Sequence, residues 1–201
     1  MGCAVTVRKR RERPTLRLLK EDLAAVRWYA RVIGDRWGVT RAETTRRYPC
    51  DEFVPEPVLE AWRGVTVRAR PEVVWPWVAQ IRLAPYSYDL IDNLGRRSPQ
   101  DLRGLSEPVV GEPFTTALGG RRLGRILAVE PGRHLTATIM GAVMSYVLLP
   151  VDNGLQTRLL LKVVTASGRV IAPLLSAGDL IMARRQLLNL AELAERTAKT
   201  F

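Results

Sequence analysis

The chain of 201 residues is 47% hydrophobic and 25% charged, a balance that supports one folded core with an extension. It excludes a chain disordered throughout, a collagen-like repeat and a multi-span membrane protein. The formal charge of +11 is unevenly spread: residues 1–50 carry 13 basic and 5 acidic groups, residues 51–201 carry 18 and 15. Cys3 and Cys50 have no partner at metal-ligand spacing, which leaves no basis for a disulfide framework or a structural zinc site. Ser176 and Asp179 interrupt the richest apolar stretch, from Val170 to Ala183, so no spanning helix is expected. Lys20, Glu21 and Asp22 break the only candidate for a secretory signal, and a cytoplasmic protein is expected.

The opening Met1-Gly2-Cys3-Ala4-Val5-Thr6 formally fits an N-myristoylation pattern. The 27 arginines against 4 lysines point to a GC-rich, bacterial genome that would lack the acyltransferase. Residues 1–14 therefore read as a basic, disordered tail. From Leu16 the apolar residues Leu19, Leu23, Val26, Ala30, Ile33 and Trp37 follow at three- and four-residue steps, which predicts an amphipathic helix over 15–38. Thr15 would cap it and Gly38 would end it. Its arginines suit either a solvated face or docking on an anionic membrane surface through residues 8–37. Nucleic acid is the weaker target, because basic and aromatic residues interleave there only at Trp28, Tyr29 and Trp37.

Residues 39–60 carry Tyr48-Pro49-Cys50-Asp51 and Val54-Pro55-Glu56-Pro57, turn chemistry that predicts a linker wrapped on the surface. The domain proper is expected over 61–199. Val65, Val67 and Ala69 alternate with polar residues as in a half-buried strand. Pro71 opens a buried helix containing Trp75, Trp77 and Ile81, and Pro76 within it should bend it. A short helix is expected over 88–94. Strands follow at Phe114–Leu118, Leu123–Glu130, His134–Met140, Val143–Leu149 and Leu155–Val164, with turns at Gly119-Gly120, Pro131-Gly132, Gly141 and Asp152-Asn153-Gly154. In the last strand Leu155, Leu159, Leu161 and Val163 share one face, and Gln156, Arg158 and Lys162 the other, so one sheet face is expected to be wet. A helix from about Pro173 to Lys199 would cover the dry face with Ala177, Leu180, Ile181, Leu187, Leu188 and Ala191.

The segments Ala69-Arg70-Pro71-Glu72-Val73-Val74-Trp75-Pro76-Trp77, Tyr86-Ser87-Tyr88-Asp89, Val129-Glu130-Pro131, Thr157-Arg158-Leu159 and Ala183-Arg184-Arg185-Gln186-Leu187-Leu188 resemble the polyketide cyclase and START-like lipid-transport superfamily, SRPBCC. The resemblance covers roughly residues 61–195. It implies an α+β helix-grip fold, a curved antiparallel sheet around a long C-terminal helix, with a hydrophobic cavity between them. It implies no particular reaction and no cofactor.

Helical geometry puts Arg184 in the middle of the predicted apolar face, where a guanidinium needs either an anionic ligand or a partner such as Asp89 or Asp179. Tyr86, Tyr88 and Tyr146 offer hydroxyls to orient a ligand, and Met140 and Met144 an adaptable wall. Met144, Tyr146 and Leu148 share one strand face, and with Leu159, Leu161, Ile181 and Leu188 complete the expected lining. His134 is the only histidine and is expected at an exposed strand edge. The first expectation is carriage of a small hydrophobic molecule, such as a lipid, a polyketide or an isoprenoid. The alternatives are a cyclase or aromatase using Arg184, Tyr146, Tyr86 and Asp89, and a docking protein acting through the N-terminal helix.

Overall fold

The computed structural model describes residues 35–166 and 177–200, with only the helical backbone described for 177–181. The basic tail and nearly all of the predicted N-terminal helix lie outside these residues. Where that prediction reaches them it is corrected, because Arg36–Trp37 is a short strand, β1, paired in parallel with the next strand. Then come α1 (Arg41–Thr45), a 3-10 turn (Pro49–Glu52), β2 (Leu59–Val67), α2 (Pro71–Ala79) and the helical turn α3 (Asp89–Asp92). A small hairpin, β3 (Thr115–Ala117) with β4 (Arg121–Leu123), precedes β5 (Arg125–Glu130), β6 (His134–Ile139), β7 (Ala142–Val151), β8 (Gln156–Thr165) and the long helix α4 (Ala177–Ala198). Among the described residues, no helix is long and apolar enough to cross a membrane.

The curved sheet has six strands in the order β1-β2-β8-β7-β6-β5, antiparallel except for β1 on β2. Turn residues explain its meander. Asp152, Asn153 and Gly154 all take positive φ between β7 and β8, and Gly141 does so between β6 and β7. The strand expected over Leu123–Glu130 breaks at Gly124, whose φ of 68° any side chain would oppose and whose added Cβ would strike the carbonyl of Thr138. Leu155, expected on the dry face of β8, instead sits in the preceding turn and is exposed. Helix α2 accommodates Pro76 in its interior and passes into a 3-10 turn at Gln80–Arg82.

Neither face of the sheet is wet. The inner face packs on α2 and α4 through Val65, Val67, Trp77, Ile81, Leu159, Leu161, Leu187 and Leu190. The outer face is covered by the segment expected as a linker, with Tyr48, Cys50 and Val54 packing on Trp62, Val143, Val147, Leu160 and Val164. Residues 39–58 form a strap. Helix α1 is held by a capping box between Thr40 and Glu43, and Glu43 accepts from Arg158 of β8, Nε to Oε1 at 2.6 Å and Nη2 to Oε2 at 3.1 Å. The Tyr48 hydroxyl donates to the Glu43 carbonyl at 2.9 Å.

Lys162 joins strap to sheet. Its side chain is only 5% exposed, its Nζ lies 2.6 Å from Asp51 Oδ1 and 2.7 Å from Glu60 Oε1, and the rings of Tyr48 and Trp62 flank it at 5.6 and 5.2 Å. Burial pulls the ammonium down, but the hydrogen bonds and charges of Asp51 and Glu60 outweigh it and hold the group above its ordinary range. Beside it, Thr136 and Ser145 share a hydrogen bond at 2.8 Å, and burial pushes the Cys50 thiol up to about 11, so it stays protonated.

Two tests follow from the strap. Lys162→Met strands Asp51 and Glu60, and should cost about 3 kcal/mol, the lower end of a broken buried pair, because both carboxylates keep some solvent contact. Urea unfolding measures it, and a loss under about 1 kcal/mol contradicts the pairing. The hydrogen bond from Arg158 holds the Glu43 carboxyl below its ordinary value. Its contribution is therefore full above the unfolded value near 4.3 and disappears as pH falls through the lower folded value. The stability difference between wild type and Glu43→Gln should shrink as pH falls from about 5 to about 3; a constant difference would contradict it.

Candidate functional site

The strand register sets the inner face out in cross-strand rows. Ala61, Val163, Met144 and Ala137 make one row, Arg63, Leu161, Tyr146 and Leu135 the next, and Val65, Leu159 and Leu148 a third. Leu135, Leu148, Leu159 and Leu161 are buried, whereas Met144, Val163 and Ile139 are half-buried, and Met140 in the turn beyond them is 61% exposed. The inner face is thus closed in its middle, and toward Met140 the half-buried Met144, Val163 and Ile139 stand among the buried Ala61, Ala137, Ala142 and Thr165.

Two tyrosines form the closed floor. Tyr146 is fully buried and donates its hydroxyl to Gln186 Oε1 of α4 at 2.6 Å, while Gln186 Nε2 donates to the Pro85 carbonyl at 2.5 Å. The Tyr146 hydroxyl also lies 3.5 Å from the Met144 sulfur. Tyr86 stands edge-on to Trp77 with ring centres 6.3 Å apart and accepts from Gln80 Nε2 at 2.7 Å. Its backbone takes a φ of 55°, held by Asn189 of α4 donating to its carbonyl at 2.9 Å. Burial pushes Tyr86 up to about 12 and carries Tyr146 higher still. Both phenols are neutral hydrogen-bonding groups at neutral pH.

Arg184 is not at the centre of the buried face. It is exposed, with its guanidinium 4.6 Å from the Trp37 ring centre. The stripe of α4 that packs on the core runs through Ala183, Gln186, Leu187, Leu190, Ala191, Leu193 and Ala194. Its middle is displaced by about 100° from the predicted one, since consecutive helical residues are that far apart. A polar Gln186 and small alanines hide this stripe from a reading of large apolar residues. The same rotation leaves Leu188 at 38% exposed.

The buried guanidinium of the inner face is Arg63, which the sequence reading passed over. It is 3% exposed and donates from Nη1 to the carbonyls of Asp35 at 3.0 Å and Trp62 at 2.7 Å. Burial, with Arg184 adding repulsion, holds it below its ordinary range, opposed by Asp35. The signal was present: the alternation of Val65 and Val67, taken back two residues, lands on Arg63.

The remaining expected residues divide. Leu148, Leu159 and Leu161 line the floor as predicted by their register, and Met144 marks its half-covered edge. Tyr88 is 38% exposed at the N-terminal end of α3. Among the described residues Asp89 pairs with no arginine; its carboxylate accepts from Ser98 N at 2.8 Å and Ser98 Oγ at 2.6 Å, tying a loop. The side chains of Ile181 and Asp179 lie outside the described residues.

At the opposite end of the sheet a concavity of about 590 Å³ is lined by Arg46, Arg47, Glu72, Arg133 and His134, together with apolar Val147 to Pro150. His134 is less exposed than expected for a strand edge, its side chain 21% accessible. Its Nδ1 is buried without a hydrogen-bond partner. Burial holds the imidazole below its ordinary range, against the pull of Glu130 and Glu52. Among the described residues, no group of three metal-ligating side chains converges.

The Tyr146 to Gln186 bond is the link between the sheet floor and α4. Tyr146→Phe leaves a buried amide oxygen without its donor and should cost about 1–3 kcal/mol. The double variant Tyr146→Phe/Gln186→Leu should cost less than the sum of the single changes in urea unfolding; strict additivity would mean that the two groups do not act together.

No family model matches the chain, and no curated protein does. Among solved structures, the chain is similar to protein MLL2253 from Mesorhizobium loti at 20% identity and a TM-score of 0.48, over 69% of this chain and 98% of that one. Ms6760 from Mycobacterium smegmatis gives 14% identity and a TM-score of 0.46, over 69% and 92%. A protein from Arthrobacter aurescens gives 14% identity and a TM-score of 0.45, over 69% and 87%. The similarities are thus to bacterial proteins named without an activity.

Proposed function

We propose that the chain binds a small hydrophobic molecule, of lipid, polyketide or isoprenoid type, against the concave face of its sheet beneath α4. The observation that carries the reading is the group of half-buried apolar side chains Met144, Val163 and Ile139 beside the closed Leu148–Leu159–Leu161 floor. These are apolar side chains that pack on the core without being fully covered, one of them a flexible methionine. Removing about 300 Å² of ligand surface from water there would be worth about 7.5 kcal/mol at roughly 25 cal/mol per Å², before ordering costs. By register Thr165 shares the cross-strand row of Ile139, its buried Oγ1 without a hydrogen-bond partner, and Tyr146 and Arg63 stand in the row on the other side of Met144.

The order of elements, one strand with two helices followed by an antiparallel meander and a long C-terminal helix, supports a helix-grip domain of the START-like, SRPBCC kind. The pairing of Tyr146 with Gln186 and of Asp89 with Ser98 commits the groups that a cyclase would use for proton transfer, so binding is the reading favoured over turnover.

The test is a titration of the full chain with N-phenyl-1-naphthylamine, followed by displacement with a fatty-acid series. Saturable one-to-one binding is expected, weakened at least tenfold by Met144→Arg at unchanged melting temperature. Equal affinity in the variant, or no saturable binding by wild type, overturns the proposal.

A further inference from the structure

Two adjacent loops present leucines to solvent. Leu90, Ile91 and Leu94 on and after α3 are 80%, 65% and 69% exposed, and Leu118 at the β3–β4 turn is 43% exposed. The loops touch: Leu118 N donates to the Asp92 carbonyl at 2.8 Å, and a Cβ added at Gly119 would lie 3.3 Å from Leu94 Cδ1. Both leucines at the turns hold left-handed backbone, with φ of 51° at Leu94 and 48° at Leu118. That conformation is unfavourable for a branched side chain. Local bonds maintain it, with Gly95 N donating to the Asp89 carbonyl at 2.7 Å and Asn93 Nδ2 to the Arg96 carbonyl at 2.6 Å. The outward leucines are therefore part of an ordered tip.

Four exposed arginines flank them, Arg96 and Arg97 on one loop and Arg121 and Arg122 on the other, and none forms an ion pair among the described residues. The nearby carboxylates are engaged locally, Asp89 by Ser98 and Asp92 by the Ser87 hydroxyl. An apolar tip whose four arginines outnumber its two carboxylates, Asp89 and Asp92, matches one environment in particular, where anionic groups overlie hydrocarbon within a side chain's length. A second copy of the chain would bring two arginine rims together.

We propose that this tip is a docking surface for an anionic lipid bilayer, with Leu90, Ile91, Leu94 and Leu118 entering the acyl boundary and Arg96, Arg97, Arg121 and Arg122 pairing with headgroups. The surface is distinct from the basic N-terminal segment, and it stands independently of the ligand reading. The hairpin that carries Leu118 returns to the sheet at Gly124, beside Thr138 of β6.

The experiment is cosedimentation of the full chain with vesicles of phosphatidylcholine, with and without 30% phosphatidylglycerol. Wild type should bind the anionic vesicles and release with salt, each arginine contributing roughly fivefold. The variant Leu90→Ser/Ile91→Ser/Leu94→Asn/Leu118→Asn should bind at least tenfold more weakly, with asparagine chosen because it accepts left-handed backbone. Hydrogen exchange of the wild-type chain, which needs no variant, should show new protection at residues 90–97 and 117–122 when vesicles are added. The proposal is overturned if wild type ignores anionic vesicles, if the leucine variant binds as well as wild type, or if protection falls only on residues 8–37. A leucine-dependent dimer in gel filtration would overturn it in favour of self-association.

Discussion

A lysine buried on the outer face of a sheet determines what the rest of this fold has to do. Lys162 points away from α4 and would be left as an unpaired charge among Trp62, Val164 and Leu160 were it not met by Asp51 and Glu60. Glu60 is supplied by β2 within the sheet, but Asp51 comes only with the strap, and with it come Tyr48, Cys50 and Val54. The polar lock and the apolar cover are thus one device. Because it seals the outer face, the inner face alone is left to combine a closed floor with a half-covered edge.

Much of the architecture was legible in the sequence, because strands and turns announce themselves locally. Positive φ at Gly119, Gly132, Gly141 and Gly154 coincides with every hairpin turn expected from residue type, and the alternation on β7 put Met144, Tyr146 and Leu148 on one face. The strap was not legible. Pro49, Pro55 and Pro57 forbid long helices, and that was read as surface; the burial of Tyr48 and Cys50 depends on partners about a hundred residues away, which no local pattern carries.

The site was legible in part for a related reason. Register is a period of two and survives in a short strand, so the residues that share the inner face could be named. The rotation of α4 could not, since Gln186 breaks the apolar stripe and its burial is compensated by Tyr146 and Pro85 rather than by anything nearby in the chain. Arg184 consequently took the role that Arg63 holds, and the two guanidiniums are close enough for one to oppose the charge of the other.

The strap also orders events in time. Its anchors are separated from their partners by 111 residues at Asp51 to Lys162 and 115 at Glu43 to Arg158, so on a ribosome the first covering segment to emerge has nothing to cover until β8 has been made. Tyr48, Cys50, Val54 and Trp62, their partners on β8 not yet made, stay open to other chains during that interval. A chain built this way has a high contact order. Its slow step should be the docking of an element that was synthesised early and used late.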